Sequence, residues 1–230
     1  MDPTLIRRVA TAGQSTWWIN AVLEQRVAPD VAVDHLAGAV EFTPEPPTPW
    51  LFALGQLRAQ QIPALHLRVV VAGDPVGLPG PAAVTRAAVA AGVAMVAANG
   101  ALTLVPVADT GRWYALASSG QAPGAAPLGS VAESRTLMRT AMAELTASFT
   151  SLDPDDDALT ELAALRALPG PEPPPGTDPR AAQLSGDALR VWWLTQIADR
   201  LCHRQGRPTP SPVRSLEPLA RRAISNAFSV

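Results

Sequence analysis

Asp74 is the side chain best placed to do chemistry. It sits in the loop GDPVGLPGP at 73–81, directly after the apolar run LHLRVVVA and before the helix-forming run AAVTRAAVAAG. A loop that leaves a strand and enters a helix offers free backbone N–H groups, and a carboxylate among them can hold a polar ligand. His66, earlier on the same run, adds a group that changes charge near neutral pH. The candidate ligand contacts are therefore Gly73, Asp74, Gly77, Gly80 and His66. Their spacing does not name the ligand. Neither G-x-x-x-x-G-K-[ST] nor G-x-G-x-x-G occurs, and Pro75, Pro79 and Pro81 remove N–H donors from the loop. The competing reading is a rigid turn: Gly for positive φ, Pro for fixed φ, Asp74 bonded to its own backbone.

The other reactive side chains are scattered. Asp109-Thr110-Gly111 has the D-T-G of aspartic proteases. That chemistry needs two carboxylates sharing one proton, and no second copy occurs, so a connecting turn is the simpler reading. DPDDD at 153–157 lacks calcium-loop spacing, whereas negative charge at a helix start explains it directly. His35, His66 and His203 lie far apart with no H-E-x-x-H or C-x-x-C, so no metal site is assigned. Cys202 and His203 are adjacent and project about 100° apart on a helix, a poor nucleophile–base pair. No G-x-S-x-G elbow is present. All 18 basic residues are Arg, which excludes a Walker-type, Schiff-base or general-base lysine. No catalytic residue and no cofactor is assigned, and the expectation is a protein that is not an enzyme.

Tryptophan is the second conspicuous type. Of 6 in the chain, four form the doublets Trp17-Trp18 and Trp192-Trp193. In each doublet one ring can face the core while the other lies at its edge, and an edge tryptophan can anchor a partner. These four are candidate interface residues toward another copy of the chain or a second protein. Arg200, Arg204, Arg207, Arg214, Arg221 and Arg222 make the C-terminus locally basic, which a solvated helix face explains. Nucleic-acid binding ranks last, because the net charge is −2 and no reading motif appears.

The elements that must position these groups follow from composition and periodicity. Hydrophobic residues make up 47% and charged residues 17%, enough to bury a core. One cysteine cannot form an internal disulfide, no window reaches the ~20 apolar residues of a membrane span, and the N-terminus lacks a secretory h-region. A cytoplasmic protein without membrane contact is expected. Residues 3–38 read as helical, with Ser15 or Thr16 capping a helix through Trp17 and Trp18, and 43–49 as a stiff connector. Residues 50–61 fit helix or strand. Residues 65–71 read as a strand and 82–91 as a helix ended by Gly92, a crossover that predicts parallel pairing with 93–98. Asn99-Gly100 predicts a hairpin in which Met95 faces Leu104. A further strand is expected at 112–118.

The C-terminal half reads as helices. Ser130 and Glu133 form a capping box, followed by a face of Met138, Met142, Leu145 and Phe149. Leu159, Leu162 and Leu165 mark the next helix. The Pro-rich segment 169–179 is expected to be a surface connector within a single domain spanning 1–230. Leu189, Trp193, Ile197 and Leu201 stripe one terminal helix; Leu216, Ala220, Ala223, Ala227 and Phe228 stripe the other. The expected fold is α+β: a small mixed sheet of three to five strands at about 51–118, packed by N- and C-terminal helices.

The stretch GDPVGLPGP running into AAVTRAAVAAG, then a hairpin ending LVPV, resembles a set of uncharacterised actinobacterial proteins over 65–107. That resemblance implies no activity, cofactor or catalytic residue. It agrees with the all-arginine, Pro- and Ala-rich composition. The leading functional expectation is a non-catalytic cytoplasmic binding or assembly protein that uses its tryptophan-bearing helices for contact. The alternatives are a small-molecule-binding protein or enzyme using the 73–81 loop, and nucleic-acid binding through the C-terminal arginines.

Overall fold

The computed structural model describes residues 3–42, 46–74, 78–107, 110–118, 129–148, 155–166 and 170–229. The chain opens with α1 (Pro3–Leu23) and α2 (Pro29–Val33). Ser15 and Thr16 lie inside α1 and do not cap it; the Thr16 hydroxyl donates to the Ala12 carbonyl at 2.8 Å, the bond threonine makes within a helix. Helix α1 is buried along most of its length, so packing overrides the stop signal those residues carry. Two short strands follow, β1 (Ala39–Phe42) and β2 (Thr48–Pro49), then α3 (Trp50–Ala59). The ambiguity at 50–61 resolves to helix, with Trp50, Ala53, Leu54 and Leu57 buried on one face.

The remaining strands are β3 (Leu65–Val69), β4 (Val93–Ala97), β5 (Leu102–Pro106) and β6 (Trp113–Ala117), with α4 (Ala82–Ala91) between β3 and β4. The mixed sheet has the order β2-β1-β6-β5-β4-β3. It holds six strands rather than three to five and reaches back to Ala39, because β1 pairs in parallel with β6 and recruits β2. Backbone approach makes that pairing possible: a Cβ on Gly38 would lie 1.5 Å from the Gly111 carbonyl oxygen. The Gly111 of the D-T-G triplet thus serves strand pairing, while Asp109 lies outside the described residues.

Strands β3 and β4 are antiparallel, which corrects the parallel expectation. Val70 N–H donates to Gly92 O at 2.9 Å, so loop and helix together leave and re-enter at the same end of the sheet. Ten helical residues rise about 15 Å, close to the length of a five-residue strand, so α4 cancels the outward travel of the loop instead of carrying the chain across. The Asn-Gly hairpin forms as expected, with Met95 opposite Leu104.

Helices α5 (Val131–Ser148), α6 (Asp156–Arg166), α7 (Pro179–Arg204) and α8 (Ser211–Phe228) complete the chain. The serine half of the capping box forms, with Glu133 N–H donating to Ser130 Oγ at 3.1 Å. Asp155 caps α6 through Ala158 N–H at 2.8 Å and pairs with Arg204 at 3.0 Å, so the acidic run serves a helix start. The apolar face of α6 is shifted from the expected one: Ala158 and Leu165 are buried while Leu159 is exposed. Met142 of α5 is also exposed, and Phe149 lies outside the described residues. The stripes expected for α7 and α8 are buried throughout.

These helices close the sheet. Helix α8 packs on β3 and α1, where the Trp17 ring meets Phe228 at 4.5 Å. The outer edge of β3 is covered: Asn20 accepts from Leu65 N–H at 2.7 Å and donates to Leu65 O at 2.9 Å, and Leu67 N–H donates to Ser229 Oγ at 3.1 Å. An uncovered edge strand invites unwanted pairing, and side chains from both ends of the chain prevent it here.

Candidate binding site at the end of strand β3

Strand β3 runs on through Val70 into a tight turn in which Asp74 N–H donates to Val71 O at 3.1 Å and Gly73 has φ +87°. That turn aims the Asp74 carboxylate at α8, where Arg221 Nη2 donates to Asp74 Oδ2 at 2.9 Å. The Arg221 side chain is only 7% exposed. Its Nε also lies 2.7 Å from Glu217 Oε1, an ion-pair contact one helical turn back. Glu217 Oε1 in turn accepts from Trp192 Nε1 of α7 at 3.3 Å. A chain of charge and hydrogen bonds therefore runs from the loop through α8 to α7. A buried guanidinium is tolerable here because carboxylates compensate it on two sides.

Beside this network lies a cavity of about 300 Å³. Val71, Trp192, Thr195, Asp199, Arg214 and Glu217 are among its walls. Asp199 is positioned by the Thr209 hydroxyl, which donates to it. Glu217 is already paired with Arg221, so Asp199, with Arg214 elsewhere in the lining, is the wall carboxylate best placed to accept from a ligand's hydrogen-bond donors. Among the described residues no three His, Cys, Asp or Glu side chains gather in a way that could hold a metal ion.

The site residues expected from the sequence scatter around this feature. Asp74 belongs to the network, and Val71 brings the start of the loop to the cavity. His66 does not line it; it points to the opposite face from Leu65 and Leu67, its Nδ1 buried without a hydrogen-bond partner. Burial first, and Arg68 second, lower its pKa from 6.5. Burial likewise lowers that of Arg68. Gly80 lies against Ser118, with φ +105°. Gly77 falls outside the described residues.

The four doublet tryptophans are all buried in the chain's own fold. Trp17 donates to Ala227 O at 3.0 Å. Trp18 donates to Glu172 O at 3.1 Å and stacks on His35 at 3.6 Å. Arg200 lies 5.4 Å over the Trp193 ring. Their ring surface is used within the chain. Of the C-terminal arginines, Arg200 pairs with Glu161, Arg204 with Asp155 and Asp157, and Arg221 with Asp74 and Glu217. Sequence reasoning placed Arg221 on a solvated basic face and passed over Glu217. The available signal was their i,i+4 spacing beside the buried Leu216–Ala220 stripe.

Together these features define an α+β protein whose sheet is locked by its C-terminal helices, with a cavity bearing two carboxylates where strand, loop and helices meet. No described helix is long and apolar enough to cross a membrane. Residues 12–128 match the family model described as "Rv1486c-like protein, N-terminal domain", and the chain belongs to that family. The match contains the whole sheet and the Gly/Pro loop and ends before α5, so Trp192, Glu217 and Arg221 lie beyond it. No curated protein and no solved structure matches the chain.

Proposed function

We propose that this chain is a non-catalytic binding protein that folds as one unit and takes a small polar molecule in the cavity at the end of β3. The all-arginine composition agrees with an actinobacterial setting for the family, and the single cysteine suits a reducing compartment such as the cytoplasm. The observation that carries the reading is the wall itself: Asp199 and Glu217 face the cavity, and Glu217 is held in place by Trp192 and Arg221. Preorganised carboxylates suit a ligand with ammonium or hydroxyl donors, and the volume is that of a small-molecule site.

The test is a thermal-shift screen of small amines, amino acids, polyols and carboxylates on the full chain. A ligand at a hundredfold excess over Kd adds about 2.7 kcal/mol, which raises the midpoint by roughly 5–10 °C for a chain of this size. Amines, amino acids or polyols should give such a shift, and Asp199→Asn should abolish it. A screen in which only carboxylates shift the midpoint, or none of the compounds does, overturns the reading.

A second reading, self-association, is favoured by Val31, Leu51 and Phe52, three exposed apolar side chains on the contacting helices α2 and α3. Sedimentation of the chain and of Phe52→Glu tests it: a dimer that the substitution dissociates supports it, and a monomer at every concentration removes it.

A further inference from the structure

A second concavity, about 460 Å³, lies between α5 and α7, away from the β3 cavity. Its floor is apolar: Met138, Leu184 and Val191 are buried there. Met142 stands at the mouth, 41% exposed. The rim is cationic. Arg135 and Arg139 lie one helical turn apart on α5, and Arg190 joins them from α7. Among the described residues the only carboxylate in the lining is Asp187, held loosely to Arg190 at 3.6 Å with both side chains about half exposed. Such an exposed pair neutralises little. A chain of net charge −2 thus carries a groove with three guanidiniums against one carboxylate.

We propose that this groove binds a single-chain amphiphile with an anionic head. The alkyl chain lies along the methionine and leucine floor, and the carboxylate or phosphate head sits among Arg135, Arg139 and Arg190. Three arguments select that occupant. Planar guanidiniums match carboxylate and phosphate oxygens two at a time. Unbranched thioether side chains reshape easily around a flexible hydrocarbon. The volume falls in the range of small-molecule sites, whereas a stable protein interface engages about 20–30 residues a side, well over twice the lining here. An acidic amphipathic helix is therefore the less fitting occupant.

The experiment is calorimetric titration of the full-length chain with dodecanoate, dodecyl phosphate, dodecyltrimethylammonium and acetate, each below its micellar concentration. Dodecanoate, dodecyl phosphate or both should bind saturably at one per chain, and the difference between them reads the preferred head. Dodecyltrimethylammonium should bind at least tenfold more weakly, and acetate should show no heat of binding. The double variant Arg139→Gln, Arg190→Gln should weaken the anionic amphiphile at least tenfold. Both arginines are surface residues, and circular dichroism confirms that the variant is folded; if it is not, Arg139→Gln alone should give a threefold or greater loss. The proposal is overturned by equal binding of the cationic and anionic chains, by binding that the variants leave unchanged, or by failure of both anionic chains to bind. Asp199→Asn leaves this groove untouched, so the outcome is independent of the β3 cavity.

Discussion

The two faces of the sheet are built from the same strands and do different work. Leu104 and Val105 are consecutive and point opposite ways. On the Leu104 face, large side chains from β3 to β6 meet α1 and α8; Asn20 is answered by the Leu65 backbone and Trp17 by the Ala227 carbonyl, while Ser15 Oγ of α1 and Asn226 Oδ1 of α8 are buried without hydrogen-bond partners. On the Val105 face the partners are small, chiefly Ala88, Ala91, Ala94 and Val96, with Leu78 of the loop. There His66 Nδ1 and Arg68 Nε are buried without hydrogen-bond partners. The difference shows where packing is concentrated: the C-terminal helices lock one face, and among the described residues α4 and Leu78 of the loop cover the other. It also shows why the polar features collect where the chain passes around the sheet end rather than in the tightly filled core.

The sharpest test of that asymmetry removes the lock. Deleting 180–230 takes away most of α7, all of α8 and the Ser229 cap on β3, and the shortened chain is expected to lose cooperative thermal unfolding altogether. A truncated protein that melts at the midpoint of the intact one would show the locked face to be self-sufficient. Next come the two neighbours on β5. Leu104→Ala should cost about 2–5 kcal/mol. Val105→Ala should cost roughly 1.5 kcal/mol, from about 0.8 kcal/mol per carbon removed. Equal losses in denaturant titrations would erase the distinction between the faces.

A third substitution probes how tightly the locked face is filled. A Cβ on Gly13 would lie 2.5–2.6 Å from the Phe228 ring, which is fully buried. Alanine favours a helix interior by up to about 1 kcal/mol over glycine, yet overpacking typically costs about 1–3 kcal/mol. Gly13→Ala should therefore destabilise by about 1 kcal/mol, and pairing it with Phe228→Leu should recover part of the loss. A stabilised single variant would mean that the Phe228 ring gives way.

How much of this was legible follows from sequence distance. The Asn99-Gly100 hairpin, the strand at β3, the helix ended by Gly92 and the α7 and α8 stripes are local patterns, and each formed. Strand β1 was missed because four residues, AVEF, carry no periodicity of their own; it exists through its pairing with β6 and the Gly38–Gly111 approach. The direction of β4 was misread because a helix after a strand suggests a crossover until its length is set against the outward travel of the loop. At the candidate site, Asp74 was legible as a polar group in a turn. Its partner stands 147 residues away on a helix whose arginines all look alike from sequence. Burial distinguishes Arg221, and burial is a property of the assembled fold. The tryptophan doublets taught the converse. Two adjacent rings can both be buried when a neighbouring segment supplies the second surface, as the Pro-rich connector does for Trp18 through the Glu172 carbonyl.

The smallest expected effect belongs to the lightly covered face and concerns His66. Burial, and secondarily Arg68, hold its pKa below 6.5 in the folded protein. The unfolded chain takes up its proton as the pH falls through about 6.5, before the folded chain does. Above that pH the ring is neutral in both states and adds no pH dependence. Below it the unfolded state binds more protons, so stability declines until the folded-state pKa is passed, and then levels. His66→Gln removes the titration while keeping a polar side chain. The wild-type chain should lose more stability than the variant between pH 7 and pH 5 in denaturant titrations at matched ionic strength. Carboxylates common to both chains cancel in the difference. Parallel curves would mean that the imidazole is as well hydrated folded as unfolded, and the Val105 face would then be wetter than its buried nitrogen indicates. On the Leu104 face no such slope should arise from Asn20, Trp17, Ser15 or Asn226, because none of these groups titrates.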